Sequence, residues 1–421
     1  MAVSGIQARE VNAKSVPVVI GSTIGFLVGP TSVIAPPIGL FMVPVGQQFG
    51  LDRATFPLLM LMVASIVGLS SPFAGRAIDR FGVRKILLPA LFLSAIVQMA
   101  LAFTGASLWA FLAVMVCVGL LAGIQNPIGY TKVIALWFNR ERALMVSLAA
   151  ALGSGIGGIL VPQIVARLIG MGGWQWGYTG LGIYILCGLP FVWWLLREPV
   201  DIADKSESPE LLQATEGVTL GQAASTGSFW KILLALMLTS FSVSALAVHV
   251  PAWAVDGGAG AGIAATFLSL FSLGSIVGQL GSGFLLDRVD SARVGCPPFF
   301  LASLGAAMLA VLTPTSPYLA LDGLLIGLAL GAELGLASYF VTRFFGFKSY
   351  GQIYGCIYGA MVAGSGSGTV LMGVAYEMTG TYKPAFAAAA GTLFLSAVLI
   401  ASLPRYRFTI SHTLATAGDA S

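Results

Sequence analysis

Apolar residues in this chain come as long unbroken runs, not as period-3.6 stripes or period-2 alternations, and most runs reach the roughly 20 residues that a bilayer-crossing helix needs. They fall at 17–45, 54–75, 86–104, 108–137, 143–169 and 176–196, then at 230–255, 262–286, 294–313, 317–343, 350–375 and 384–403. The two sets of six are separated by 197–229, the only long polar stretch, which carries acidic residues and helix breakers and reads as a solvated central linker. The pattern predicts an all-α integral membrane protein of twelve transmembrane helices. Its expected parts are an N-terminal six-helix bundle over 1–196, the linker, and a C-terminal bundle over 230–421 with a short tail.

Composition agrees. Apolar residues make up 57% of the 421 and charged residues only 9%, against roughly 25% charged in soluble domains. A mean hydropathy of +0.91 suits a surface facing lipid, so the bilayer is the expected solvent and a soluble globular fold is excluded. The first run, preceded by Arg9 and Lys14, is too long for a signal-peptide core and is read as a retained helix. With the N-terminus inside, the cytoplasmic segments hold 17 of the 21 Lys and Arg residues. That asymmetry predicts both termini in the cytoplasm, in a bacterial inner membrane.

The net charge of +4 sits at the ends of apolar runs without a basic block, so no nucleic-acid partner is expected. Cys117, Cys187, Cys296 and Cys356 stand singly and only His249 and His412 can join them, which argues against metal and disulfide sites. Neither a nucleotide loop nor a nucleophile–base pair is present. No cofactor and no enzymatic activity are expected, and the chain is read as a monomer.

The loop after the second run reads GRAIDRFGVRK, with Gly75, Asp79, Arg80, Gly82 and Arg84; the loop after the eighth reads GFLLDRVDSAR, with Gly283, Asp287 and Arg288. Both contain Gly-x-x-x-Asp-Arg, 208 residues apart and at the same place relative to the preceding run. The fourth and tenth runs also end alike, in ALWFNRERA and TRFFGFKSYG. The chain is internally duplicated, so its two bundles are expected to be pseudo-symmetric.

These residues carry a resemblance to the major facilitator superfamily, whose loop between the second and third helices has the pattern matched from Gly75 to Lys85. WFNRERALMVSLAAALGSGIGG at 137–158, HVPAW at 249–253 and GAELGLASYFVTRFFGFKSYGQIYG at 331–355 are similar to its monocarboxylate-porter and bacterial oxalate/formate-antiporter-like branch. The resemblance implies a gating role for Gly75, Asp79, Arg80, Gly82 and Arg84, and for the repeated Gly283, Asp287 and Arg288. The second copy, which lacks the later glycine, is expected to matter less. The resemblance also places Gln279 where that branch has a substrate-binding arginine in its eighth helix.

Ionisable side chains within a membrane span cost about 2.5–3.5 kcal/mol to insert and therefore mark partners, cavities or function. Lys132 lies near the inner end of the fourth run, close to Pro127; it either binds an anion, with Asn126 and Tyr130 near it in sequence, or snorkels to the headgroups. Glu333, among glycines and alanines, is the one acid well inside a run, where it either couples protons or makes a structural hydrogen bond. His249, before Pro251, is a second proton-coupling candidate or an interface histidine. Tyr354 and Tyr358, one turn apart, either pack or line a cavity with Gln279.

The expected function is secondary active transport of a small organic anion, a mono- or aromatic carboxylate, by alternating access with proton symport. Anion exchange and export of amphipathic compounds are the alternatives. Lys132 and Glu333, in corresponding spans of the two halves, are expected to face one cavity.

Overall fold

The computed structural model describes residues 15–34, 36–50, 55–105, 107–138, 141–198, 217–259, 261–289 and 291–406. Among these are twelve helices long and apolar enough to cross a membrane. We number them span 1 (Val16–Val33), 2 (Leu61–Phe81), 3 (Val83–Leu101), 4 (Leu108–Trp137), 5 (Arg142–Gly172), 6 (Trp174–Leu195), 7 (Gly227–Ala254), 8 (Thr266–Arg288), 9 (Ala292–Val311), 10 (Leu319–Phe345), 11 (Tyr350–Thr379) and 12 (Lys383–Ala401). Even-numbered spans finish, and odd-numbered ones after the first begin, at one end of the bundle. That end carries Arg80, Arg84, Lys85, Arg288, Arg293, Lys348 and Arg405 and is called the basic end below.

Two apolar runs are broken by proline chemistry. The expected 17–45 helix stops at Val28, makes a short turn at Pro30–Val33 and restarts as Ile38–Phe49, because Pro30, Pro36 and Pro37 remove ladder donors and disfavour helix before them. Span 4 is two helices, Leu108–Ile124 and Ile128–Trp137, parted at Pro127.

Spans 1, 5 and 6 pack together, as do 2 with 4 and 3 with 6; in the second half 8 packs on 10, 9 on 12, and 7 on 11 and 12. Two seams join the halves, span 2 on span 11 and span 5 on span 8. Lipid gives no hydrophobic force between helices, so small residues that let backbones approach supply packing instead. The clearest case is inside the second half. Gly323, Gly327 and Gly331 of span 10 lie on the carbonyls of Phe267, Phe271 and Ser275, while Gly274 and Gly278 of span 8 lie on those of Leu324 and Leu328.

Most of 197–229 lies outside the described residues, as do Arg9, Lys14, Arg53, Arg140 and His412. The described parts of that stretch are held rather than free. The Arg197 carbonyl accepts from Trp137 Nε1 at 2.8 Å. Val218 N–H donates to the Phe345 carbonyl at 2.9 Å, and Thr219 with Gln222 forms a capping box on the short helix Leu220–Ala224.

Gly331→Val places a branched side chain on the Ser275 carbonyl, an overpacking worth about 1–3 kcal/mol, and is expected to lower the melting temperature of the purified protein by several degrees. Gly391→Val on span 12, where a side chain meets open space, is expected to leave it unchanged. A thermal melt of the two variants beside wild type checks both.

Candidate functional site

The backbone N–H groups in the first turn of a helix have no intrahelical partner and attract negative charge. Span 11 begins at the basic end, and Asp79, near the end of span 2, reaches across the seam to accept from Gly351 N–H at 2.9 Å and Gln352 N–H at 3.0 Å. Lys132 of span 4 donates to the same carboxylate at 2.6 Å. The approach needs a bare backbone: a Cβ on Gly75 collides with the Gly351 carbonyl, and Gly355 lies on the Ser71 carbonyl one turn further along.

The second seam repeats the device. Asp287 of span 8 accepts from Ala143 N–H at 3.0 Å and Leu144 N–H at 2.8 Å at the start of span 5, and Gly283 sits against the Ala143 carbonyl and Ser147. Each capped pair lies 208 residues from its counterpart, the offset of the sequence repeat. Asp287 makes the same kind of two backbone contacts as Asp79. The missing later glycine belongs to a different part of the motif, for Gly82, at φ +89°, turns the chain beside Glu198. There the Arg84 N–H donates to Glu198 Oε1 at 2.7 Å and its guanidinium to the Trp193 carbonyl at 2.6 Å, a tie within the first half. Arg80 and Arg288 are exposed and lie over the rings of Phe81 and Phe284, at 5.2 and 3.7 Å.

The substrate-site candidates divide. Lys132 is mostly buried, and in this structure its ammonium is paired with Asp79 at 2.6 Å, a partner that offsets the cost of a cation taken into the membrane. Asn126 is a structural cap at the break in span 4, accepting from Ile128 N–H at 3.0 Å and donating to Ser71 Oγ at 2.9 Å. Tyr130 packs its ring on Gly25 and 5.1 Å from Phe26 of span 1. Tyr354 and Tyr358 continue a stack that runs from Phe347 through Tyr350, with successive centroids 5.9, 5.7 and 6.4 Å apart. The hydroxyls of Tyr130 and Tyr354 are buried without a partner. Gln279 is buried, one turn from Gly283 on the span 8 face that meets span 5, with its backbone beside Gly331.

Glu333 is 4% exposed and lies between spans 10 and 7, both carboxylate oxygens 3.1 Å from Ser240 Oγ. One hydroxyl proton serves one oxygen at a time. His249 bridges spans 7, 11 and 12, its Nε2 donating to the Thr369 carbonyl at 2.9 Å and its Nδ1 3.1 Å from Tyr382 Oη. No hydrogen bond or ion pair among the described residues brings Lys132 and Glu333 together. A serine in an apolar run carries no signal of its partner, so the sequence pattern does not distinguish Ser240. A second buried acid, Asp322, lies in the first turn of span 10, both oxygens without a partner.

Residues 19–313 match the Major Facilitator Superfamily, well over half of the chain. The chain belongs to this family. It is 28% identical over 392 residues to a gallate transporter of Pseudomonas putida, covering 82% of this chain and 84% of that one. To monocarboxylate transporter 11 of Mus musculus it is 23% identical over 384 residues, covering 87% and 83%. Among solved structures, a proton:xylose symporter superposes with a TM-score of 0.72 at 13% identity, over 93% of this chain and 96% of that one. The E. coli fucose:proton symporter gives 0.69 at 16%, over 93% and 99%. These two establish the fold alone: twelve spans in two pseudo-symmetric bundles. The family and the relatives are transporters rather than enzymes, and they agree with the resemblance to the monocarboxylate branch.

Asp79→Asn and Asp287→Asn each keep the side-chain shape but remove a charge from a helix N-terminus. Hydrogen bonds to charged groups are worth about 1.5–3 kcal/mol each. Both variants are expected to insert normally and to expose cysteines placed in the seams of the basic end to a water-soluble maleimide several-fold faster than wild type. Unaltered labelling in either variant contradicts a role for that carboxylate in closing the end.

Proposed function

We propose that this transporter carries a small organic anion, a mono- or aromatic carboxylate, across the bacterial inner membrane together with a proton. The termini and the basic end face the cytoplasm on this reading, in keeping with the positive-inside rule. The bundles 1–196 and 230–421 rock about a central site, and the two aspartate caps close the cytoplasmic side while the site faces outward. The gallate transporter and the monocarboxylate transporter among the relatives support the substrate class. Gln279, Tyr354 and Tyr358 supply amide and phenol groups for a hydroxylated aromatic acid, Gln279 standing where the resemblance to the monocarboxylate branch implies an arginine.

The observation that carries the coupling is Glu333, a buried carboxyl between spans 7 and 10 with Ser240 as its hydrogen-bonding side chain. A buried carboxylate without a cation is costly, and uptake of a proton removes the cost. Serine fits both states, donating to the carboxylate and accepting from the acid. A monoanion entering alone faces about 2.3 kcal/mol per 100 mV of inside-negative potential; entering with one proton it moves no net charge.

The test is uptake into proteoliposomes with gallate as the probe. Wild type is expected to accumulate it under an inward proton gradient alone. Glu333→Gln is expected to lose that accumulation and keep counterflow from preloaded vesicles, since exchange needs no net proton release. Counterflow without accumulation in wild type makes the protein an exchanger. Accumulation by Glu333→Gln moves the coupling role elsewhere, with His249 the next candidate.

A further inference from the structure

Beside the Asp79 cap, the halves also meet at a buried phenol. Tyr350 opens span 11 and is wholly enclosed. Its hydroxyl lies 2.8 Å from Ser338 Oγ of span 10 and 3.1 Å from Thr131 Oγ1 of span 4. Thr131 fixes the direction of the chain, because its own proton goes to the carbonyls of Pro127 at 2.9 Å and Ile128 at 3.1 Å. It therefore accepts from Tyr350, and the phenol oxygen in turn accepts from Ser338. An ordered run of hydroxyls crosses the seam from the second half to the first.

The placement of that run matters. Thr131 is followed by Lys132, which holds Asp79, and Tyr350 is followed by Gly351 and Gln352, whose N–H groups Asp79 accepts. Two adjacent residues of span 4 thus hold the first turn of span 11, one through a hydroxyl and one through a carboxylate. Two hydrogen bonds to one carboxylate require both N–H vectors to point at it, and rotation of that turn about the helix axis spoils the aim. The tether at Tyr350 opposes the rotation. At the other seam the residue before the capped pair is Arg142, whose Nε goes to the Phe138 carbonyl of its own half and whose guanidinium lies 5.0 Å from the Phe347 ring.

We propose that Tyr350 is a positioning residue of the transport cycle: its hydroxyl, held between Thr131 and Ser338, keeps the first turn of span 11 aimed at Asp79 and so holds the basic end shut. The proposal rests on the rocking of the two halves but on neither the substrate nor the proton of the transport reading, so its test measures distance and not uptake.

Spin labels at Phe81, the exposed last residue of span 2, and at Lys348, exposed just before span 11, report the opening of this seam in full-length protein whose four native cysteines are replaced. Tyr350→Phe removes one oxygen and keeps the ring. It is expected to raise the population of the longer separation about fivefold, the effect of one net hydrogen bond, with the melting temperature unchanged. Thr131→Val is expected to do the same. Asp79→Asn combined with Tyr350→Phe is expected to open the seam no further than the larger single effect, because both act on one contact. An unchanged distance distribution in Tyr350→Phe, fully additive effects with Asp79→Asn, or a lowered melting temperature without the longer separation overturns the proposal.

Discussion

A helix that begins at the boundary between two helical bundles presents N–H groups that its own backbone cannot satisfy, and the other bundle can satisfy them only by bringing up an acceptor. Spans 5 and 11 both begin this way, and Asp287 and Asp79 are the acceptors. Much else at the basic end follows from that constraint. The carboxylate must arrive on a helix that runs close to the seam, so the residue one turn earlier has to be glycine, Gly75 or Gly283. A charge drawn from water into the seam needs balance, which Lys132 gives to Asp79.

On the proposed rocking of the two halves, this contact has to be undone in every cycle and so must not be too strong. The seams contain an opposing cost. Ser147 Oγ is buried against Gly283 and Gly335, and the Tyr354 hydroxyl is buried on span 11, both without partners. Such groups forfeit about 1–3 kcal/mol each when taken from water. On the proposed alternation, the charge-assisted caps favour the shut form and the dehydrated hydroxyls oppose it in part. Spans 8 and 10, by contrast, meet through glycines packed against carbonyls.

How much of this was legible in the sequence depends on whether the signal is local. The twelve spans, their duplication and the Gly-x-x-x-Asp repeat are written in consecutive residues and in a fixed offset of 208. Partners across the seam are not. Lys132 carries the same letter whether it binds an anion, snorkels or pairs with Asp79, and the two, 53 positions apart, hold no mark of their meeting. Ser240 and Glu333 are 93 residues apart, and a serine in an apolar run looks the same with or without an acid beside it. Pro127 marks the break in span 4 by its chemistry, yet the hydrogen bond from Asn126 to Ser71, 55 positions away, leaves no trace in the sequence. The sequence thus disclosed which residues are costly in a membrane, and packing decided what relieves each cost.

Because the first-turn amides of spans 5 and 11 lack intrahelical acceptors, their protection from hydrogen exchange depends on the aspartates of the opposite half. Hydrogen–deuterium exchange of peptides covering 142–146 and 350–354 therefore tests the twin closure most directly. The account predicts that both are protected in the unliganded protein and that both lose protection together in a variant or ligand state that opens the basic end. Exchange of one peptide with the other still protected, or rapid exchange of both in the closed protein, would contradict it.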